Sequence, residues 1–390
     1  MSVNFGWLIR TMYFYLNKNT NREKNLWIFG CWGGNKYSDN SKALYEYILD
    51  NHRNISAVWI TKSHAIYNKL TSMKKPCFLV GTAEAKRAMQ RAGVAFYTNS
   101  IEDFGDIDYL NGALKVALFH GVGFKLELRE FNVNKSFIGT KLRELKHKIY
   151  CDSFADLICT TSSFMRYKFA RQQYNCDILK IEVTGQPRND IFQKLDTELN
   201  REKVIMYLPT FREDKDSQEK LQYVINELVN SDVLEKLLSQ NNFKFVVKPH
   251  YLTKVKMNKK RDHIFIYNDT DLPDVQKALA DTDILITDYS SVASDFALLN
   301  RPIIFYDFDL RNYMPLLADE YIEVLREGYV KSSAELLSLL AEIFDGKVDL
   351  RPVNKIINYY CNSPELKIGT FCENVYRAVE KKIDKKYCVK

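Results

Sequence analysis

Acidic and hydroxyl side chains follow an apolar strand in the segment ITDYSSVASDFALL, residues 286–299. Asp288, Ser290 and Ser291 stand where this strand leads into a helical pattern. Serine hydroxyls and the free N–H groups of a first helical turn suit the binding of phosphate, and Asp288 suits the orientation of a cation or a hydroxyl group. Plain N-capping of the helix by one serine explains the same residues, so both interpretations stay open.

A histidine ends another apolar strand, in the segment ALFHGVGFK, residues 117–125. The imidazole of His120 is suited to act as a general base near neutral pH, although a structural role at a strand end is the alternative. Gly121 permits close approach of a ligand or of another backbone segment. Lys125 suits either a phosphate contact or an exposed position.

Polar side chains follow three further strands. VVKPH (246–250) provides Lys248 and His250, YLPTFR (207–212) provides Thr210 and Arg212, and TGQPRND (184–190) provides Arg188 and Asp190. Charged Lys and His donate to phosphate oxygens, and Arg makes bidentate phosphate contacts. The structural alternatives are a turn at Pro249, an ion pair of Arg212 with Glu213 or Asp214, and a hinge at residues 184–190.

Twelve apolar segments with strand character must position these side chains. They are 26–30, 57–61, 77–81, 94–98, 115–121, 157–162 and 178–185, followed by 203–210, 243–250, 263–269, 283–289 and 302–309. Helical patterns separate many of them, such as 41–51, 81–93, 219–240, 274–282 and 333–344. Continuously apolar strands that alternate with helices are typical of parallel sheets buried on both faces.

The α/β pattern restarts after the polar stretch 193–202, and 390 residues are too many for one ordinary core. The sequence therefore predicts an α/β fold with two doubly wound Rossmann-like domains facing a cleft, a GT-B-like architecture. We place the domains at 1–195 and 196–390, with C-terminal helices able to pack back on the first. Because ligands bind outside the carboxyl ends of parallel strands, the polar strand ends predict one polyanion-binding cleft.

The chain carries 56 Lys and Arg against 49 Asp and Glu, a net charge of +7, and its cations cluster at 135–148, 254–261 and 381–386. Such clusters favour phosphate-rich partners or anionic lipid. The eight cysteines lack metal-site spacing, and no secretory signal is visible, which favours a cytoplasmic protein. The apolar segment 5–16 is too short to span a membrane but suits either an interfacial anchor or a packed first helix.

Several enzyme classes lack their motifs here. The sequence contains no GxxxxGK[ST] loop, no GxGxxG fingerprint, no HExxH and no GxSxG. These absences argue against a P-loop nucleotidase, a dinucleotide-binding dehydrogenase, a zinc protease and an α/β-hydrolase. No motif requires a cofactor or a metal, while Mg²⁺ is compatible with phosphate chemistry.

Taken in order, the motifs resemble those of the CDP-glycerol glycerophosphotransferase family, whose members build or prime teichoic acids and related capsular polymers. YSDNSKALYEYI, GQPRND, LPTFR and the segment DILITDYSSVASDFALLNRPIIFYDFDLRNY resemble the family patterns over most of the chain. Two motifs depart from them. HGVGFK stands where the family has HGTPLK, and KPHY stands where it often has Arg-x-His-Pro.

The resemblance implies that the N-terminal domain serves the acceptor and the C-terminal domain binds a CDP-alditol donor. It implies His120 as the base that accepts the proton of an acceptor hydroxyl. His250, Arg212, Ser290 and Ser291 would stabilise the charge of the donor diphosphate and of the departing CMP.

By the same resemblance, the acceptor is a lipid-linked glycan or a growing anionic polymer at the inner face of the cell membrane. The amphipathic segment 135–148 suits that surface, and an ordinary helix packed on the sheet is its alternative. CDP-ribitol is the alternative donor, and a nucleotide-sugar glycosyltransferase of GT-B type is the alternative enzyme. Charge alone also suggests a nucleic-acid-binding protein, but this leaves the polar strand ends unexplained, so we expect no nucleic-acid partner.

Overall fold

A computed structural model describes residues 21–121, 155–170, 176–194, 202–212, 214–250, 252–268, 270–310, 317–361 and 366–387, with residues 12, 15 and 16. The chain divides into two compact units. Within the described ranges, unit 1 comprises the residues up to His120, those between 155 and 190, and 366–387. Unit 2 comprises Gly121 and the residues from Ile191 to Cys361. The main part of unit 2 therefore begins after Asp190, and the last helix of the described chain belongs to unit 1.

Unit 1 contains a seven-stranded parallel sheet of order β3-β2-β1-β4-β5-β6-β7. Its strands are β1 (Glu23–Phe29), β2 (Ser56–Thr61), β3 (Cys77–Leu79), β4 (Ala92–Tyr97), β5 (Leu114–Ala117), β6 (Leu157–Thr160) and β7 (Ile181–Val183). The register aligns Phe29 with Trp59 on one side and with Phe96 on the other. The strand order reverses between β1 and β4, the position at which doubly wound sheets bind ligands.

Helices cover the sheet of unit 1: α1 (Asp39–Asn51), α2 (His64–Ser72), α3 (Ala83–Arg91), α4 (Ser163–Lys168) and α12 (Phe371–Tyr387). Side-chain hydroxyls of Ser63, Thr82 and Ser162 cap three of them. Leu44, Tyr45 and Ile48 of α1 are fully buried against the sheet. Val375 and Val379 of α12 belong to the same core, so the C-terminal helix is part of unit 1.

Unit 2 contains a five-stranded parallel sheet of order β10-β9-β8-β11-β12. Its strands are β8 (Lys203–Leu208), β9 (Phe243–Val247), β10 (Ile264–Ile266), β11 (Ile284–Thr287) and β12 (Ile303–Phe305). The order reverses between β8 and β11, whose register pairs Thr287 with Leu208. Both units thus have the strand order of a doubly wound Rossmann-like sheet.

The helices of unit 2 are α5 (Lys215–Val229), α6 (Asp232–Asn241), α7 (Val275–Ala280), α8 (Val292–Ala297), α9 (Asp319–Leu325), α10 (Ser333–Phe344) and α11 (Arg351–Ile356). The prediction of one continuous helix over 219–240 is wrong. The chain breaks at Asn230 and Ser231, because the Ser231 hydroxyl accepts from Leu234 N and begins a new helix.

None of the helices in the described ranges has the length and apolar character that a membrane-spanning helix needs. Within the same ranges, no three His, Cys, Asp or Glu side chains lie close enough to hold one metal ion.

Candidate active site

A direct contact joins the ends of β8 and β11, where the strand order of unit 2 reverses. Thr210 N donates to both carboxylate oxygens of Asp288, at 3.1 and 3.0 Å, and the Thr210 hydroxyl donates to Oδ1. Thr287 Oγ1 in turn donates to Leu208 O at 2.7 Å. Asp288 is fully buried. Its carboxylate therefore fixes the loop after β8 instead of facing solvent.

Arg212 extends this contact to β12. Its Nη1 donates to Asp288 Oδ2 at 2.8 Å, while Nε and Nη2 donate to Asp309 at 2.7 and 3.0 Å. The guanidinium also lies over the ring of Tyr289, 4.6 Å from its centroid. The residue is fully buried, and a bidentate ion pair in this setting is strong and rigid. Arg212 thus pairs with the buried carboxylates of Asp288 and Asp309 and not with the surface carboxylate of Asp214.

Two further groups complete this polar cluster. The hydroxyl of Tyr289 donates to Asp309 Oδ1, and the hydroxyl of Tyr321 donates to Asp288 O at 2.9 Å. Burial alone would lower the pKa of Arg212, but Asp288 and Asp309 raise it above its ordinary value, so the guanidinium stays charged.

Asp307 lies beside the cluster with an unusual environment. It is 2% exposed, and the Tyr321 hydroxyl lies near its carboxylate and opposes part of its pKa shift, although no hydrogen bond of good geometry reaches either oxygen within the described residues. Burial, and then the charge of Asp288, raise the pKa of Asp307 well above its ordinary range. A carboxyl group in such a setting is favoured in its neutral form.

Ser290 and Ser291 follow Asp288 at the start of α8. Ser290 Oγ accepts from Val292 N at 3.4 Å, whereas the Ser291 side chain makes no capping hydrogen bond. Both serines are half-buried. The geometry of Ser290 is that of local capping, and the contact of either hydroxyl with phosphate stays a prediction.

Lys248 and His250 follow β9, the strand next to β8. Lys248 N donates to Tyr207 O at 3.0 Å and continues the pairing of the two strands. The His250 ring lies 4.5 Å from the ring of Phe211, the residue between Thr210 and Arg212 in the sequence. His250 Nδ1 accepts from Leu252 N at 3.4 Å, which favours the tautomer with its proton on Nε2. Unit 2 thus brings Thr210, Arg212 and Asp288 into contact and places His250 beside the same loop.

In unit 1, His120 lies three residues beyond β5 and is exposed, and its ring packs 5.1 Å from that of Trp32. Arg188 Nη1 donates to the backbone oxygen of His120 at 2.6 Å and to Asp39 Oδ1 at 2.8 Å. Asp39 Oδ2 accepts from Trp32 Nε1 at 3.2 Å. These contacts hold both the backbone and the ring of His120 from two sides.

Asn40 contacts the backbone of the residues before His120 and that of Arg188. Its Nδ2 donates to Phe119 O at 2.9 Å and to Leu118 O at 3.3 Å, and its Oδ1 accepts from Arg188 N at 3.1 Å. The backbone here is strained, because Phe119 and Asp39 have φ values of 55° and 65° that only glycine adopts freely. Such strain is common at functional sites, where surrounding contacts hold it.

Glycines follow both His120 and β1: Gly121 is the next residue after His120, and the glycine-rich loop 30–35 carries Trp32, whose ring packs on that of His120. Gly121 has a φ of 149°, within the range that favours glycine. The buried carboxylate of Asp103 accepts from Gly33 N at 2.6 Å and from Thr98 N at 2.9 Å, and so fixes the loop after β1. Burial raises the pKa of Asp103, although the backbone donors oppose this shift.

Asp190 has a structural position. Its carboxylate accepts from the backbone N–H groups of Gly369, Phe371 and Cys372, at 2.9, 2.9 and 2.8 Å, at the start of α12. Gly185, five residues earlier, has a φ of 75°, and a Cβ there would lie 2.3 Å from the Phe371 ring. Within the motif TGQPRND, Gly185 and Asp190 thus anchor the last helix, whereas Arg188 contacts His120.

Sequence reasoning missed three residues of the His120 surroundings: Trp32, Asp39 and Asn40. The last two belong to the motif YSDNSKALYEYI, whose acid and amide directly before an apolar helix were the available signal. Lys125, the segment 135–148 and segment 5–16, apart from residues 12, 15 and 16, lie outside the described residues.

Solved structures with a similar fold support the two-unit architecture. A variant of the wall teichoic acid polymerase TagF has a TM-score of 0.74 and 20% identity, covering 97% of this chain and 93% of that one. A putative UDP-N-acetylglucosamine 2-epimerase from Listeria monocytogenes has a TM-score of 0.56 and 10% identity, covering 93% and 97%. The predicted α/β, GT-B-like fold is confirmed.

Curated relatives cover nearly the whole chain. A teichoic acid glycerol-phosphate transferase from Staphylococcus aureus is 27% identical over 93% of this chain and 92% of its own length. A teichoic acid poly(glycerol phosphate) polymerase from Staphylococcus epidermidis is 24% identical over 93% of this chain, which spans 50% of that polymerase. Residues 12–381 match the family described as CDP-Glycerol:Poly(glycerophosphate) glycerophosphotransferase. The predicted resemblance is confirmed, and the chain belongs to the CDP-glycerol:poly(glycerophosphate) glycerophosphotransferase family.

Proposed function

We propose that this chain transfers glycerol phosphate from CDP-glycerol to a hydroxyl group of a lipid-linked glycan or growing teichoic-acid-like or capsular polymer, and releases CMP. The observation that carries this proposal is the family match over residues 12–381. TagF after a soak with CDPG is among the similar structures, at 20% identity. The site of action would be the cytoplasmic face of the cell membrane.

The proposed reaction breaks the diphosphate linkage of the donor and forms a phosphodiester with the acceptor. The acceptor oxygen attacks the β-phosphorus of CDP-glycerol and forms a new P–O bond. The P–O bond to the α-phosphate breaks, so CMP leaves with the electron pair, and the acceptor proton passes to the His120 imidazole. The exposed position of the His120 ring and the contacts of Arg188 and Trp32 support this role.

Unit 2 would bind the donor at the carboxyl ends of β9, β8 and β11. His250, Lys248, Ser290 and Ser291 are the groups proposed to stabilise the diphosphate and the departing CMP. The buried Arg212, Asp288 and Thr210 would hold the loops that carry them. No protein-bound metal is needed for this scheme, and Mg²⁺ bound to the donor diphosphate is the alternative that chelation tests.

CMP release by the purified chain tests the proposal, with CDP-glycerol and a lipid-linked or synthetic acceptor. We expect His120→Ala to lower the rate by about 10²- to 10⁴-fold, the usual contribution of a general base. His64→Ala provides a matched control, because this exposed histidine of unit 1 begins α2 away from the His120 network. An undiminished rate in His120→Ala would sink the assignment of the base.

The donor is tested in the same assay. Relatives include a teichoic acid poly(ribitol-phosphate) polymerase from Bacillus spizizenii, 27% identical over 67% of this chain, so CDP-ribitol is the second donor to offer. Release of CMP from CDP-ribitol alone would replace glycerol by ribitol in the proposal. Sugar transfer with release of a nucleoside diphosphate would instead favour the glycosyltransferase alternative, and an arm with EDTA reports on Mg²⁺.

A further inference from the structure

The loop between β1 and α1 carries an exposed cation close to His120. The ring of Trp32, which is half-buried, lies 5.1 Å from that of His120, and Lys36 Nζ lies 5.0 Å from the centre of the Trp32 ring. Because both distances are measured to the Trp32 ring, together they limit the separation of Lys36 Nζ from the His120 ring to about 10 Å. Trp32 thus forms an aromatic surface between the proposed base and a cation.

Contacts with neighbouring strands fix the backbone of this loop. Trp32 N donates to Thr98 Oγ1 at 3.2 Å, and Gly34 O accepts from Thr61 Oγ1 at 2.8 Å. The loop follows β1 where the strand order of unit 1 reverses between β1 and β4, which is where doubly wound sheets bind ligands. An ordered segment therefore presents Trp32 and Lys36 at a position suited to a ligand.

The ammonium group of Lys36 is available to an anion. Its side chain is exposed and contacts the face of the Trp32 indole, and no carboxylate of the described residues pairs with it. An exposed cation–π contact is weak and leaves N–H groups of the ammonium open to another acceptor. Asp39, which accepts from Trp32 Nε1, is 6% exposed and paired with Arg188, so its charge is offset.

The spacing of His120 and Lys36 suits a hydroxyl group that three carbons join to a phosphate. A hydroxyl that gives its proton to His120 lies about 3 Å from the imidazole. Single bonds of about 1.5 Å place the phosphorus of a terminal glycerol phosphate roughly 6 Å beyond that hydroxyl. Its phosphate oxygens then come within reach of Lys36, and the carbons between them lie along the Trp32 ring. A sugar hydroxyl without a nearby phosphate would make no use of the charge.

We propose that Trp32 and Lys36 form a subsite for the terminal glycerol phosphate of the acceptor, with Lys36 on its phosphate and Trp32 against its carbons. The inference rests on the proposed function for the role of His120. Among the acceptors of that proposal, it selects those that already end in glycerol phosphate. Lys36 is then the residue that distinguishes such an end from an uncharged glycan.

Binding of synthetic tri(glycerol phosphate) to the full-length chain, measured by titration calorimetry without CDP-glycerol, tests the subsite. We expect Lys36→Gln to raise the Kd about tenfold, and Lys36→Arg, which keeps the charge, to bind nearly as wild type. The tenfold difference should shrink at 0.5 M salt, because salt screens an exposed charge.

Two exposed lysines provide matched controls for this binding. Lys69 lies on α2 of unit 1, and Lys260 lies in the basic segment 254–261 of unit 2. Lys69→Gln and Lys260→Gln should each bind tri(glycerol phosphate) as wild type. Equal weakening in all three glutamine variants would instead mean a diffuse attraction to the positive surface and would overturn the subsite.

Trp32 reports the occupant directly. Among the tryptophans that the structure describes, Trp27 and Trp59 are fully buried, whereas Trp32 is half-buried beside Lys36. Tri(glycerol phosphate) should therefore change the fluorescence of wild type and leave that of Trp32→Phe unchanged. Trp32→Phe keeps an aromatic face and should still bind the oligomer in the calorimeter, whereas Trp32→Leu should bind it more weakly.

Transfer kinetics separate this inference from the proposed function. Two soluble acceptors are compared, a synthetic glycan and the same glycan with one terminal glycerol phosphate. We expect Lys36→Gln to raise the KM for the phosphorylated acceptor about tenfold, with a smaller effect on kcat and on the plain glycan. Equal KM values in wild type and Lys36→Gln would overturn the subsite and leave the function standing.

The binding measurement also decides the case in which no transfer occurs. Binding that depends on Lys36, without CMP release from any acceptor, would support the subsite and refute the function. Wild-type chain that does not bind tri(glycerol phosphate), or Lys36→Gln that binds it as tightly as wild type, would overturn the subsite.

Discussion

Arg188 Nη1 lies 2.6 Å from the backbone oxygen of His120 and donates a hydrogen bond to it. The same nitrogen pairs with Asp39, and this ion pair is 11% and 6% exposed on its two sides. Low exposure limits screening by solvent and makes the pair more rigid than a surface pair. The ion pair between Arg188 and Asp39, the first residue of α1, therefore holds the backbone of His120, the residue proposed as the base.

Asp39→Asn tests whether this ion pair positions His120. The amide keeps the shape of the side chain and loses the charge that holds Arg188. We expect kcat for CMP release to fall about ten- to a hundredfold, because misplacement of a catalytic group by about 1 Å can cost about a hundredfold. The KM for CDP-glycerol should change little, since the proposed donor groups belong to unit 2.

Asp50→Asn is the control, as Asp50 is exposed at the other end of α1. Asp39→Glu restores the charge and should recover part of the lost rate. A fall in thermal stability that accounts for the lost rate, with no recovery in Asp39→Glu, would mean that Asp39 only supports the fold.

Arg212→Met tests the polar cluster of unit 2. The substitution leaves Asp288 and Asp309 buried without their cation, and loss of one partner of a buried pair typically costs about 3–5 kcal/mol. All four tryptophans, at positions 7, 27, 32 and 59, precede unit 2 in the sequence. We therefore expect part of the circular dichroism signal to be lost at a lower urea concentration than in wild type. The tryptophan fluorescence transition should keep its wild-type midpoint.

Arg351→Met is the matched control, because Arg351 pairs with Asp349 on the surface and its side chain is 69% exposed. Its unfolding midpoint should equal that of wild type. Coincident early transitions by both probes in Arg212→Met would contradict independent unfolding of unit 2.

Asp190→Asn tests the anchor of the last helix. The asparagine side chain has one acceptor oxygen where the carboxylate has two, so it binds fewer of the three N–H groups at residues 369, 371 and 372. It also lacks the negative charge that stabilises a helix N-terminus. We expect a loss of about 1–3 kcal/mol. The ring of Trp27 lies 5.8 Å from that of Tyr376 of α12, so tryptophan fluorescence reports the release of this helix during unfolding. Faster amide exchange throughout α12 should accompany the loss, and unchanged exchange would argue against the anchor.

The sequence predicted the strands well and the side-chain contacts poorly. Each of the twelve apolar segments overlaps a strand, because a parallel sheet buried on both faces demands a continuous apolar run. The break of the predicted helix 219–240 was missed, since Ser231 looks like any polar surface residue until its capping bond is seen. The contact of Arg212 with Asp309 depends on strand order, which no local pattern encodes.

The predicted site residues show the same limit. A polar group at the end of a strand indicates where a site lies, but not whether that group faces the ligand. Asp288 and Arg212 are buried against each other, whereas His120 is exposed. The roles of His250, Lys248, Ser290 and Ser291 toward the donor stay predictions that the transfer assay can check residue by residue.

Asp307→Asn tests the buried carboxyl group beside Asp288, Asp309, Arg212 and Tyr321. The pKa of Asp307 is raised well above its ordinary value in the folded chain, chiefly by burial. Between pH about 4 and this raised pKa, the unfolded chain has lost the proton that the folded chain retains. The folded state then binds more protons than the unfolded state, so the free energy of unfolding of wild type falls as the pH rises through this window.

Asp307→Asn removes this proton linkage while it keeps the size of the side chain. We expect the variant to be more stable than wild type at pH 7, by about 1–3 kcal/mol, and the difference to shrink as the pH is lowered toward 4. Urea unfolding followed by circular dichroism at several pH values measures both quantities. The exposed Asp262 serves as the control, and Asp262→Asn should follow the wild-type curve. A variant Asp307→Asn whose stability runs parallel to wild type from pH 4 to 8 would show that Asp307 is ionised in the folded chain, with a cation or water supplying the partner that its two oxygens require.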